Sequence, residues 1–476
     1  MKKLTLFACI SLIFNALSAQ TLNVSEEMSI ASSDGYGIIG KLNDRILFFN
    51  LENSKVKVRA LDTKLHRLWD KEIEPDRKNS AKVIEVIGSK QDFNVIYQFR
   101  RKGHTFIKIH KYDGQLKLLD SVMVKDWGKD FTSPTLQIVF SEDKKTMLLY
   151  ELEGSDKIIA LVVSMDSLRP IWDKKIEIKD WDYDNPFHQI LVNNKAEAFF
   201  IKEEDNRNSD LGKHRFKIKK YSESEGEQNF EIKMADTLNM SVKFSYDNAN
   251  QHLTAAGLYA PKSTYKAKGY YFIRAVPPQY EAAKITFQPF DDEFVTAMQG
   301  KKVTDNKGMI DLRVQEIVHR RDGGILAIFE QVREVERQMT VMNNRMSARG
   351  DGLRLSIDYY YDNIFAISMA ADGVTHWKSI FYKKQLSQDD DARYCSYFLA
   401  KTPSSLRVLF NDDVERSTTV SEYVLDAKGQ TEHHTIYNTD GHDVNLRFKD
   451  ALQISSKEIN IPSDDRRRLK LVKVQY

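Results

Sequence analysis

Cysteine is nearly missing from this chain. Of 476 residues only Cys9 and Cys395 carry a thiol. Cys9 sits in an N-terminal apolar run, so a chain that loses that run has no internal disulfide and no cysteine-based metal site. An oxidising compartment is compatible with this, because a core of such size needs no covalent staples. Proline and glycine are also sparse, at 10 and 21 residues, which excludes collagen-like and low-complexity architectures. An excess of charge is missing too. Without Lys2 and Lys3 the 71 basic residues fall to within one of the 68 acidic ones. A near-neutral chain lacks the basic face that nucleic acid demands, so no nucleic-acid partner is expected.

Long apolar runs are confined to the start. Lys2 and Lys3 form a charged head, residues 4–14 an apolar core, and residues 15–20 a small-residue cleavage region. That is the pattern of a secretory signal peptide. Cleavage is expected after Ala19, leaving residues 20–476 as one domain in the periplasm or outside the cell. The apolar run is too short to anchor the chain in a bilayer, and no later stretch forms a transmembrane segment. Only five apolar residues precede Cys9, so lipid attachment there is not expected.

What the chain does have is strands. One apolar segment recurs at intervals of roughly fifty residues: "ILFF" from Ile46, "NVIYQF" from Asn94, "MLLY" from Met147, "AFFI" from Ala198 and "LTAAGL" from Leu253. "ILAIF" from Ile325 and "LRVLF" from Leu406 continue the series. An alternating strand follows each one. Five of these followers end on an aspartate: Asp62, Asp113, Asp166, Asp372 and Asp426. Asp and Gly make tight turns between antiparallel strands. A shorter strand comes next, with Trp69, Trp172 or Trp377 near its start, and an alternating segment such as "KVIEVIG" opens each unit.

Four antiparallel strands per repeat predict an all-β fold, a β-propeller of four-stranded blades. After the seventh unit, "LRFKDALQIS", "KEINI" and "LKLVKVQY" supply three further strands. "TLNVSE" near the N-terminus is the candidate fourth. This 3+1 closure, joining N- and C-terminal strands, favours eight blades, with seven as the alternative. The pattern resembles the propeller superfamily, and most loosely its eight-bladed PQQ-like and WD-type repeat members. The resemblance spans residues 20–476, and Trp69-Asp70 and Trp172-Asp173 echo half of the WD-type signature. What it implies is the fold, and a place for such propellers in envelope assembly.

Four connections break the regularity: residues 202–214, 259–271, 290–308 and 333–363. In a four-stranded blade they all map to one face, and loops carry function because blades are committed to packing. The insertion at 333–363 holds several Arg and Met residues, and Met342 and Met346 have helical spacing. Arg, Met and Tyr are enriched at protein interfaces. Arg337, Arg345, Arg349, Tyr359, Tyr360, Tyr265 and Tyr270 are therefore the expected partner-binding residues. The leading expectation is a secreted, non-enzymatic scaffold of the bacterial cell envelope that docks a protein partner on this face of blades four to six. The alternative is a carbohydrate-active enzyme or glycan-binding propeller using Tyr265, Tyr270 and Trp181. A quinone-dependent dehydrogenase ranks third. No catalytic residue, cofactor or metal is assigned. Asp389, Asp391, Asp412 and Asp413 are hard oxygen ligands that could gather around Ca²⁺, but they read better as solvated acidic loops. No HExxH, GxSxG or phosphate-cradling glycine loop occurs.

Overall fold

In the computed structural model the described residues are 21–476, apart from 31–34, 53, 77–80, 130–133, 155, 179–187, 211, 262–263, 305–307, 341–352, 413, 415–418, 439–443 and 466. The expected signal peptide, Cys9, Trp181, Arg345, Arg349 and Asp413 lie outside them. Eight four-stranded antiparallel sheets follow one another along the chain. Blade one shows the pattern, with strands A to D at Tyr36–Leu42, Arg45–Glu52, Lys55–Leu61 and Arg67–Ile73. The A strands of several adjacent blades touch one another, those of blades five and six most closely. The chain is an eight-bladed β-propeller.

Packing explains the sequence pattern. Strand B of blade one is buried on both faces over Ile46–Phe49 because a blade is sandwiched between two others. Most core clusters join adjacent blades. Phe216 and Phe244 meet between blades four and five, and Phe329 and Phe365 belong to the cluster between five and six. The last sheet is the 3+1 closure. Leu452–Ser455, Glu458–Asp465 and Arg468–Gln475 form strands A to C, and Thr21–Val24 adds the fourth. Met28 and Ile30 then cross to pack with Phe48 of blade one.

Three of the five recurrent aspartates cap their C–D turns in one way. Asp62 Oδ1 accepts from the backbone N–H groups of Lys64 and His66, and Asp113 and Asp426 repeat this two residues and four residues on. Asp372 is different. Its turn is closed by Ala370, so Asp372 stands two positions later and caps only Val374 N–H. Three residues after the closing position the backbone is left-handed, at Leu65, Leu116, Gly373 and Gly429. The tryptophans lie four residues beyond such a position and brace the next blade. Trp172 Nε1 donates to Ala196 O at 2.7 Å and Trp377 Nε1 to Ala427 O at 3.1 Å. Gly429 has φ +85, and a Cβ there would come within 2.5 Å of the Trp377 ring. Gly429→Ala is expected to cost about 1–2 kcal/mol from the left-handed backbone alone, read as a lower denaturation midpoint with an unchanged m-value.

Two insertions take regular form. The link at 290–308 contains a helix, Asp292–Gln299. Asp291 caps it by accepting from Phe294 N–H at 2.7 Å, Gly300 ends it with left-handed backbone, and Phe294, Val295 and Met298 face the core. The insertion at 333–363 largely extends the blade. Strands B and C of blade six run Ile325–Thr340 and Leu353–Met369, far longer than elsewhere, and Gln385–Gln388 pairs with the extension. Met342 and Met346 lie outside the described residues. Among the described residues no helix is long and apolar enough to cross a membrane.

Candidate functional site

All four expansions converge on one face. The link after blade five, the B–C connection of that blade and the base of the blade-six hairpin enclose a cavity of about 680 Å³. Its floor includes Met298, Met309 and Leu312, and its rim carries Lys266, Lys301 and Lys384. A second cavity of about 570 Å³ opens beside it toward blade four, lined by His188, Glu203, Asn239 and Arg313. Tyr265 and Leu312 line both, so the two form one cleft. Both volumes are in the range of ligand sites. Four lysines and one carboxylate, Asp362, line the larger cavity, which makes it cationic.

Its base is held by a buried ion pair. Lys383 and Glu330 are 0% exposed, with Nζ and Oε1 2.8 Å apart. Lys383 Nζ also donates to Tyr361 O at 2.8 Å and to Gln385 Oε1 at 3.0 Å. Glu330 Oε2 accepts from Ser396 Oγ at 2.8 Å and from Gln315 Nε2 at 3.0 Å. Burial pulls the Lys383 ammonium below its ordinary range and pushes the Tyr361 phenol up to about 12. Asp362 is raised, also by burial, and its Oδ1 is buried without a hydrogen-bond partner among the described residues. The pair comes from strand B and from the segment after strand D, 53 residues apart, so no local motif announces it.

The smaller cavity is organised by Glu203. His214 Nε2 lies 3.0 Å and Asn239 Nδ2 2.9 Å from its Oε1, while Tyr271 donates to Asn239 Oδ1 at 2.9 Å. Tyr271 reaches that position only because it lies over Gly257, where a Cβ would sit 2.1 Å from its ring.

The residues expected to bind a partner do not form one exposed patch. Tyr265 is 61% exposed and stands between the two cavities. Tyr270 is 2% exposed, bonded to Thr375 Oγ1 at 2.8 Å and packed against Phe290. Tyr359 is buried with Val332 and Cys395. Tyr360 lies beneath the Arg333 guanidinium at 4.3 Å, and Arg337 pairs with the buried Asp358 at 2.5 Å. Period-two alternation of Leu353, Leu355, Ile357, Tyr359 and Tyr361 is the signal that marks this stretch as a strand. The acidic candidates are turn and strand caps. Asp389 accepts from Ile357 N–H and Ser356 Oγ, Asp391 from Tyr359, and Asp412 from Ser421. Among the described residues no three His, Cys, Asp or Glu side chains gather as metal ligands.

No protein-family model and no curated protein sequence matches the chain. Solved structures do. Dipeptidyl peptidase 4 of Porphyromonas gingivalis is 12% identical at a TM-score of 0.40, over 91% of this chain and 56% of that one. Prolyl oligopeptidase B of Galerina marginata is 9% identical at 0.38, over 90% and 55%. The β-propeller domain of the Trilobed protease of Pyrococcus furiosus is 10% identical at 0.35, over 88% and 99%. The chain spans little more than half of the first two, and likeness at this level is one of fold. Each of these structures is a peptidase or the propeller domain of a protease, and the expectation of a non-enzymatic envelope scaffold is withdrawn. Of the residues expected to bind a partner, Tyr270 and Tyr359 are buried, while Tyr265 and the Arg337 side chain are exposed.

Proposed function

We propose that this chain is a peptide-binding propeller of a peptide-processing system, and that it takes extended, acidic peptide segments in the cleft between blades five and six. One observation carries this reading. Strand B of blade six pairs with strand A only as far as Gln331, and from Arg333 onward it is paired on one side alone among the described residues. Gln331 and Val332 line the two cavities. A half-paired strand beside a cleft is a template for strand addition, in which main-chain bonds hold the ligand and pockets select side chains. The apolar floor suits the ligand's aliphatic side chains, and the lysine rim suits its carboxylates. The cleft, not the likeness of fold, supports the ligand class.

The test is fluorescence anisotropy with labelled acidic, neutral and basic peptides of equal length. The acidic set is expected to bind tightest, and more weakly at higher salt, because exposed charges are screened. Charge reversal of two rim residues, Lys266→Glu with Lys384→Glu, is expected to weaken binding by about tenfold or more, which corresponds to about 1.4 kcal/mol. Equal binding of all three sets would refute this ligand class. Export, with removal of residues 1–19, belongs to the same proposal and is checked by N-terminal sequencing of the protein recovered from its native cell.

A further inference from the structure

A second group of residues lies toward the other end of strand A of blade five, Leu238–Asp247. Asn239 to Val242 line the smaller cavity of the cleft, and Ser245 lies three residues beyond, about 10 Å along the strand. Ser241, Lys243 and Ser245 alternate on one side of it, and all three reach strand A of blade six, Leu312–His319. Ser241 Oγ accepts from Val314 N–H at 3.1 Å, and Lys243 Nζ donates to Gln315 O at 2.6 Å. Those two end on backbone and simply join the blades. The third ends on an imidazole: Ser245 Oγ and His319 Nε2 are 2.7 Å apart.

The other ring nitrogen of His319 completes the arrangement. Nδ1 is buried, without a hydrogen-bond partner among the described residues, and lies 3.7 Å from Asp247 Oδ2. Asp247 is two residues from Ser245, so strand alternation puts both on the same side. Its carboxylate is 1% exposed and fixed by the turn that follows. Oδ1 accepts from Ala249 N–H at 3.0 Å and Asn250 N–H at 2.9 Å, and Oδ2 from Asn250 Nδ2 at 2.9 Å. His252 Nε2 stands 3.7 Å from the same Oδ2. Burial lowers His319, with Asp247 and Glu142 opposing, which keeps the ring neutral and able to accept a proton. Ser245 and His319 are both only partly buried, so a small molecule can reach them.

We propose that Ser245, His319 and Asp247 form an acyl-transfer site between blades five and six, acting on small esters or exposed peptide bonds. A base within hydrogen-bond reach of a hydroxyl, itself oriented by a third group, is the geometry of an activated nucleophile, and such contacts are commonly looser before substrate binds. His319 Nε2 takes the proton of Ser245 Oγ as that oxygen bonds to the acyl carbon. The bond to the leaving alcohol or amine breaks, and the leaving group departs with the proton from Nε2. Water then attacks the acyl-serine, gives its proton to Nε2 and releases the acid, and the Nε2 proton returns to Oγ. Asp247, 3.7 Å from Nδ1 here, is a positioning residue that closes on the Nδ1 proton once substrate is bound.

The experiment treats the full chain with a fluorescent fluorophosphonate and locates the adduct by mass spectrometry. The expected result is one adduct per chain, on Ser245. Ser245→Ala abolishes it, and His319→Gln slows labelling by about a hundredfold, the scale of proton-transfer catalysis. Ser241→Ala removes an equivalent inter-blade bond and labels as the wild type does. Asp247→Asn shifts the pH midpoint of labelling, which a purely structural bond between blades would not do. Absence of labelling in the folded wild type overturns the proposal, as does labelling that survives Ser245→Ala. Peptide binding in the cleft, read by anisotropy, stays unchanged in Ser245→Ala.

Discussion

Lys383→Met is expected to destabilise the protein by about 3–5 kcal/mol, because it strands Glu330 as an uncompensated charge in the core. Both side chains are fully buried. The ammonium is the only charge facing the Glu330 carboxylate at ion-pair distance among the described residues. It also donates to Tyr361 O and Gln385 Oε1, which would lose a partner. Removing both charges is a different matter. An apolar or neutral pair of similar volume in place of a buried ion pair is often neutral or stabilising, so Lys383→Met with Glu330→Gln is expected to recover much of the loss. Urea melts of the wild type, both single variants and the double variant measure this as a coupling energy. Equal, additive losses would show that the pair does not act as a unit. The pair joins strand B of blade six to the segment entering blade seven and sits under the cleft, so the single variant is also expected to loosen the floor on which Asp362 and Lys384 stand.

Deleting residues 21–30 is the second large effect. The segment supplies the outermost strand of blade eight, and its Leu22 and Val24 pack with Val472 and Val474. Ser25 and Leu471 exchange two bonds, Ser25 N–H to Leu471 O at 2.9 Å and Leu471 N–H to Ser25 Oγ at 2.8 Å. Met28 and Ile30 cover Phe48. A buried aliphatic side chain contributes about 1.5–3 kcal/mol, so losing these four removes on the order of 5 kcal/mol or more. The loss falls where the ring is latched, and it leaves strand C of blade eight with an open edge, which invites pairing with another chain. A lower melting temperature and concentration-dependent oligomers by light scattering are expected. A synthetic peptide of residues 20–31 added in excess should restore the monomer. A deletion variant that melts like the wild type would mean the latch contributes little.

Much of the fold was legible because propeller blades repeat a local chemistry. The apolar B strands, the alternating C strands and the Asp and Trp positions are set by neighbours within one blade or the next. One register error was built into the same reading. Asp372 resembles Asp62 in a text of letters, yet Ala370 closes its turn, and only backbone pairing tells the two apart. The 333–363 insertion was read by composition, as Arg- and Tyr-rich interface. Its alternation of Leu353, Leu355, Ile357, Tyr359 and Tyr361 marks a strand, and Tyr359 and Tyr361 are buried.

The sequence by itself determined a ring of four-stranded blades and favoured eight of them closed by the two ends, a number and a closure that the structure fixed. The ring of blades follows from period-two patterning and from repetition along the chain. Only the tertiary structure decided which side chains meet. Lys383 and Glu330 are 53 residues apart, Ser245 and His319 are 74, and Tyr265 stands where two cavities join. Such meetings depend on the register between blades and on how neighbouring sheets pack. No local pattern of residues encodes that, because the same alternating strand serves equally well wherever its neighbour stops.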